Sequence, residues 1–147
     1  MKFEIKHFSD LTSSEVYSIA RVRANVFILE QNILDEEDLD GIDLDAYHVF
    51  LKDEDIIAYC RILKPGAAYK DASIGRVLVA KEHRKKGIAE KMMIEAVKFI
   101  FEEMNENSIT ISAQEYVSRL YESIGFVKIG EVYDEVGIPH IKMTLVK

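Results

Sequence analysis

One stretch constrains the fold more than any other. An apolar run, Ser73-Ile74-Gly75-Arg76-Val77-Leu78-Val79, leads into a basic turn, Arg84-Lys85-Lys86-Gly87, and then into an amphipathic segment ending near Met104. The near-continuous apolar character of Ala72–Ala80 predicts a central strand covered on both faces. Ile88, Met92, Glu95, Ala96, Phe99 and Ile100 mark the turns of a helix that begins at about Gly87. The first N–H groups of a helix have no partner within it, and they sit at the positive end of its dipole. A phosphate is the natural occupant of such a junction. Gly87 and the small Ala89 allow a diphosphate to approach the backbone, and Arg84, Lys85 and Lys86 add positive charge. A solvated basic turn that only caps the helix is the other reading these residues leave open. Neither G-x-x-x-x-G-K-[ST] nor G-x-G-x-x-G occurs, so a P-loop and a dinucleotide fingerprint are excluded.

The remaining elements follow closely, without repeats or linkers, as in a single domain over 1–147. Phe3, Ile5 and His7 alternate with polar residues and predict a strand. Thr12-Ser13-Ser14-Glu15 has the form of a capping box and opens a helix whose buried face is Val16, Ile19, Val22, Val26 and Leu29. Tyr47–Leu51 and Ile56–Leu63 form a hairpin around Lys52–Asp55, closed by Pro65-Gly66. Ile109–Ala113 is a strand, and 115–124 a short helix ending at Gly125, a C-terminal glycine. Phe126–Tyr133 and Ile138–Val146 are the last two strands. The order is that of an α/β (α+β) fold: a mixed sheet with helices on its faces.

Charge narrows the function. The net charge is −7, and residues 30–55 hold eleven Asp or Glu against one Lys. A nucleic-acid partner is excluded, because phosphate-backbone binding needs clustered cations. The acidic run Asp35, Glu36, Glu37, Asp38, Asp40, Asp43 and Asp45 either draws a cationic amine or is a solvated loop. Glu36–Gly41 resembles the first half of an EF-hand loop, but Tyr47 stands where the bidentate Glu belongs, so calcium is rejected. No His/Cys cluster suggests zinc, and no metal is expected. Cys60 is the only cysteine; it lies in an apolar run and reads as a packing residue. There is no signal peptide and no run of the roughly 18 apolar residues needed to cross a bilayer, so a cytoplasmic protein with no membrane partner is expected. The oligomeric state stays open, with a homodimer among the choices.

Two blocks carry a resemblance. Arg84-Lys85-Lys86-Gly87-Ile88-Ala89 matches the [Q/R]-x-x-G-x-[G/A] loop of the GNAT superfamily of N-acetyltransferases. Leu120-Tyr121-Glu122-Ser123-Ile124-Gly125-Phe126 resembles the family's L-Y-x-x-x-G-F segment. Arg23–Gln31, Asp40-Gly41 and Gly137-Ile138-Pro139-His140-Ile141 look like the ElaA subgroup. The resemblance covers nearly the whole chain. It implies the acyl-CoA N-acyltransferase fold, with a mostly antiparallel central sheet flanked by helices. It also implies an N-acetyltransferase with acetyl-CoA as co-substrate and an amine acceptor.

By the same resemblance, the amides of 84–89 bind the CoA pyrophosphate and the preceding strand pairs with pantetheine. A backbone N–H near Leu78 or Val79 faces the thioester oxygen, an oxyanion-type contact. Tyr121 matches the family tyrosine near the CoA sulfur and is the candidate general acid. A phenol of pKa about 10 protonates a thiolate of pKa about 8.5 only with help from position. Gln114 stands where many relatives have a cofactor-contacting Asn. The base is the open point. Where some relatives place a carboxylate, this chain reads Asp71-Ala72-Ser73, and Ser73 is too weak. Glu30, Glu115, His48 and His140 are alternatives, as are a water chain and an amine that arrives neutral. A non-catalytic acyl-CoA sensor or protein-interaction module is the second functional reading.

Overall fold

The structure, a computed structural model, describes residues 2–147. Strand β1 (Glu4–His7) pairs antiparallel with β2 (Tyr47–Lys52), which forms a hairpin with β3 (Ile56–Leu63); β3 in turn pairs with β4 (Ser73–Val79). A second antiparallel sheet follows in the order β5 (Ser108–Gln114), β7 (Ile138–Val146), β6 (Val127–Glu135). The sheets touch where Ala72 and Ile109 form a parallel bridge, with the Thr110 amide donating to the Ala72 carbonyl at 2.9 Å. Asp71 pins this joint by accepting from Ser108 Oγ at 2.7 Å and Thr110 Oγ1 at 2.8 Å. Those bonds hold its carboxyl below the usual carboxylate range. Beyond the joint β4 and β5 part, and a cleft opens between them.

That parting corrects one expectation. All eight residues of β3 are buried, whereas β4 is buried only at Ser73, Ile74 and Leu78. The most apolar strand in the sequence is thus covered on one edge by β3 and left open on the other, because β5 diverges from it.

Helix α1 (Ser13–Arg23) lies on one face of the sheet, where Ile19 and Val22 meet Phe50, Tyr59 and Leu78. Its capping box is complete: Thr12 Oγ1 accepts from the Glu15 amide and Glu15 Oε1 from the Thr12 amide, at 3.1 and 2.8 Å. The helix then widens into a π-helical stretch, Ala24–Glu30, with the Gln31 amide donating to the Val26 carbonyl at 2.9 Å. The wider turn rotates later residues away from the α-helical spacing. Leu29, expected on the buried face, is therefore 77% exposed.

Helices α2 (Ile88–Glu102) and α3 (Ser118–Ile124) cover the opposite face. There Met92, Met93, Ala96, Ile100 and Tyr121 pack with Cys60, Ile111, Ala113 and Met143. Cys60 is fully enclosed, and burial pushes its thiol up, so it is the packing residue its apolar run predicts. Gly125 ends α3 at φ +118°, and a β-carbon there would meet Leu145 Cδ1 at 3.2 Å. The backbone conformation is what calls for glycine here; the Leu145 contact is tight but involves the movable end of a side chain. No helix among the described residues is long and apolar enough to cross a membrane.

Candidate active site

The cleft between β4 and β5 deepens into a cavity of about 630 Å³ bordered by the π-helical stretch, β4, β5, α3 and the start of α2. At its α2 end, Gly87 caps the helix in the left-handed conformation, φ +76°, and no side chain caps the amides that follow. Lys85 is also left-handed, at φ +64°. The turn is therefore wound so that the first amides of α2 keep their hydrogens for an outside partner. Arg84, Lys85, Gly87, Ile88 and Ala89 border the cavity; Lys86 is exposed and stands outside its lining. Arg84 is spent differently from Lys85. Its guanidinium forms a fork with Glu30, at 2.5 and 2.8 Å, and its Nε donates to the Val79 carbonyl at 2.8 Å. Arg84 thus ties the π-helical stretch to the basic turn, leaving Lys85 and Lys86 as its cations without an ion pair among the described residues.

The β4 edge carries a bulge. Tyr59 pairs with Leu78 and Arg61 with Gly75, so β4 has one residue more than β3 across this interval, and Arg76 takes φ +53°. Beyond the bulge the Ala80 amide donates to the Ile57 carbonyl at 2.8 Å. Strand alternation then turns the peptide groups of Leu78 towards β3 and those of Val79 towards the cleft. The Val79 carbonyl meeting Arg84 agrees with this. Of the two residues expected to face a thioester oxygen, Val79 presents its amide and Leu78 does not, although both border the cavity.

Burial and charge pairing correct the reading of the acidic run. Arg23, 1% exposed, reaches Asp43 at 2.6 Å and Asp38 at 3.0 Å and also donates to the Asp38 carbonyl. Arg61 bonds both oxygens of Asp40, at 2.8 and 2.7 Å, and Asp43 at 3.0 Å; Arg76 lies 3.0 Å from Asp38. Three of the seven acids are therefore neither lure nor solvated loop but the partners of three arginines. Burial works against ionising Asp40, yet Arg61 more than offsets it and pulls the carboxyl down to about 2; Asp43 is lowered by the same balance with Arg23 and Arg61. Asp45 pairs with His7 and Lys64. Asp35, Glu36 and Glu37 remain exposed, the latter two at the cavity. The sequence carried a signal for this network: Arg61 stands alone in an apolar strand and needs a buried counter-charge.

The candidate bases separate cleanly. His48 is enclosed, with Nδ1 at 2.6 Å from the Tyr59 hydroxyl and Nε2 at 3.0 Å from the Asp43 carbonyl, and burial holds its pKa down. It does not border the cavity, and neither does Glu115. Glu30 is committed to Arg84. His140 does border it, next to Glu135, a residue that sequence reasoning missed. Ser112 and Gln114, alternating with the buried Ile111 and Ala113 on β5, also reach the cavity, and Gln114 donates to Gln31 at 3.4 Å. That polar alternation on a strand was the available signal. Tyr121 borders the cavity from α3; it is 6% exposed and burial pushes its phenol up, so the hydroxyl keeps its proton at neutral pH. No hydrogen bond engages that hydroxyl among the described residues.

A split sheet, a bulged strand at the split and an uncapped helix start beside it define an acyl-CoA N-acyltransferase fold. Residues 24–147 match the model of the acetyltransferase (GNAT) domain. The chain belongs to the GNAT acetyltransferase family, and within it to the ElaA-like subgroup. It is 34% identical to the ElaA protein of Escherichia coli over 94% of this chain and 92% of that one; the crystal structure of that protein superposes with a TM-score of 0.89. A UPF0039 protein of Schizosaccharomyces pombe is 36% identical over 99% and 97% of the two chains. An acyl-CoA N-acyltransferase of Pseudomonas aeruginosa has a TM-score of 0.90 at 32% identity, over 98% and 99% of the chains.

Proposed function

We propose that this protein transfers an acetyl group from acetyl-CoA to a primary amine of a small molecule or peptide. The observation that carries the reading is that one cavity is bordered by the uncapped start of α2, by Val79, whose amide is turned away from β3, and by Tyr121. The amides of Gly87, Ile88 and Ala89, with Lys85 beside them, hold the pyrophosphate. Lys86 adds only long-range charge. Val79 pairs with pantetheine, and the bulged edge offers N–H groups to the thioester oxygen as negative charge develops there. Tyr121, protonated until the thiolate forms, supplies its proton. Holding both reactants in one cleft removes much of the entropic barrier. Glu36 and Glu37 at the rim favour a cationic acceptor. The lone buried thiol fits a reducing, cytoplasmic setting.

One observation favours the second reading, an acyl-CoA sensor. Ser73 occupies the place of a strand carboxylate, and Asp71 is consumed at the sheet joint. Release of CoA thiol from acetyl-CoA across a panel of primary amines separates the two. Amine-dependent release that falls in Tyr121→Phe is expected; binding of acetyl-CoA without release from any amine would leave the sensor.

A further inference from the structure

We propose that His140, backed by Glu135, is the base that takes the proton from the acceptor amine. The inference rests on the acetyltransferase reading above and names the group that reading lacks.

The geometry assigns the ring's two nitrogens. His140 is 6% exposed. Its Nδ1 lies 2.8 Å from the Ile138 carbonyl oxygen, which can only accept, so Nδ1 carries a hydrogen. Nε2 is then the atom at which a proton is gained or lost, and it lies 3.2 Å from Glu135 Oε2. No aligned hydrogen bond joins the two among the described residues, so the Nε2 lone pair is not tied to the carboxylate. A carboxylate this close favours the charged ring by simple attraction of opposite charges. The Glu135 side chain is 44% exposed and connects the pair to solvent.

Register places the pair on the right face. His140 is directly opposite Gln114 on β5 and Tyr133 on β6, and directly paired residues of an antiparallel ladder share a face. Ser112 and Gln114 lie on that face, and with His140 and Glu135 they border the cavity. The neighbouring residues Ala113 and Ile141 point the other way, into the core under α2 and α3, and Ile111 packs in that core while also bordering the cavity. The cavity therefore receives acetyl-CoA from the α2 side and meets His140 on the opposite side of the sheet. The other ionisable groups facing the ring are few. Tyr133 stacks at 6.1 Å and hydrogen-bonds Ser112, and Tyr69 stands behind them near Glu135 with Lys142 over its ring at 5.5 Å. His83 also borders the cavity, but beside Arg84 at the phosphate end.

The step balances as follows. An ammonium acceptor gives one proton to Nε2, and its freed lone pair forms the C–N bond at the thioester carbon. The C–S pair leaves with sulfur. Sulfur takes the Tyr121 hydroxyl proton, and the new amide nitrogen returns a proton to Tyr121. The proton on Nε2 leaves through Glu135. One ammonium and one thioester give one amide, one thiol and one proton.

The test compares wild type, His140→Ala, His140→Gln and Glu135→Gln. Substrates are the best alkylamine of the panel and hydroxylamine, whose nitrogen is already neutral at pH 7.5. In both His140 variants, kcat for the alkylamine is expected to fall about 10²–10⁴-fold. The loss for hydroxylamine is much smaller, added imidazole restores His140→Ala, and the acetyl-CoA thermal shift is kept. Glu135→Gln falls about tenfold, on the scale of losing an orienting partner. Equal turnover of the alkylamine by wild type and both His140 variants overturns the base assignment alone. Equal losses for both nucleophiles, without imidazole rescue, overturn it too by making His140 structural. No release by the wild type with any nucleophile removes the acetyltransferase reading, and the base falls with it. Ring ¹⁵N shifts of His140 check the tautomer without turnover: Nδ1 protonated throughout and Nε2 exchanging the proton are expected, and the reverse overturns the assignment.

Discussion

Asp43→Ala tests the link between the acidic segment and the cleft. One oxygen of Asp43 accepts from Arg23 at 2.6 Å and from Arg61 at 3.0 Å, and both arginines are almost fully enclosed. Removing one partner from a buried charge network costs about 3–5 kcal/mol, because it leaves uncompensated charge. Each arginine keeps a second carboxylate, Asp38 or Asp40, so the low end applies, about 3 kcal/mol. For 147 residues the unfolding entropy is about 0.3 kcal/mol/K, and about 3 kcal/mol lowers Tm by about 10 °C. The assay is thermal unfolding followed by circular dichroism, with Leu44→Ala as the control, since Leu44 is the exposed neighbour and changes stability by less than about 0.5 kcal/mol. Because Asp38 and Asp40 also hold Arg76 at the β4 bulge, Asp43→Ala raises KM for the acceptor more than for acetyl-CoA. A fall in Tm below about 3 °C would refute the network's role in stability.

Three further outcomes are expected. Gly87→Val forces a branched side chain into φ +76°; no atom lies within 4 Å of its β-carbon, so the penalty is backbone strain. The free turn relaxes out of this conformation, and restoring it on binding costs about 1–2 kcal/mol, so acetyl-CoA affinity falls about 5- to 30-fold by titration calorimetry; unchanged affinity would contradict the turn's role. Tyr121→Phe leaves stability within about 1 kcal/mol, since no hydrogen bond holds its hydroxyl among the described residues, but lowers kcat by at least about tenfold; unchanged kcat removes Tyr121 as the acid. Acid titration follows from Asp40 and Asp43. Their folded pKa values lie below the unfolded value of about 3.9, so their stabilisation is complete above about pH 5. It is lost as pH falls towards the Asp40 value of about 2. Urea unfolding between pH 6 and 2.5 shows this loss, and Asp43→Ala shows less of it; an equal loss in both contradicts the assignment.

Much of the frame was legible because it rests on local rules. Thr12 and Glu15 announce a helix start, Gly125 a helix end, and the apolar runs Tyr47–Leu51 and Ile56–Leu63 around the charged Lys52–Asp55 a hairpin. The turn at 84–89 was legible as a helix start because Gly87 stands directly before the amphipathic pattern of α2. What escaped depends on contacts between distant residues. The pairing of Asp38, Asp40 and Asp43 with Arg23, Arg61 and Arg76 is set by the packing of α1 and the following loop on β3 and β4. The widening after Arg23 leaves no mark in a 3.6-residue pattern. The joint beyond which β4 and β5 part is held by Asp71 bonding Ser108 and Thr110, nearly forty positions away. Glu135 and His140 face one another only through the β6–β7 register.

The central claim is that the cleft beside residues 84–89 holds acetyl-CoA, and thermal unfolding with added acetyl-CoA tests it most directly. At a concentration 100 times Kd the account predicts a gain of about 2.7 kcal/mol, or about 9 °C in Tm for a chain of 147 residues. The shift shrinks in Gly87→Val, and sulfate at the same concentration does not reproduce it. No shift at millimolar acetyl-CoA, or an equal shift with sulfate, contradicts the account.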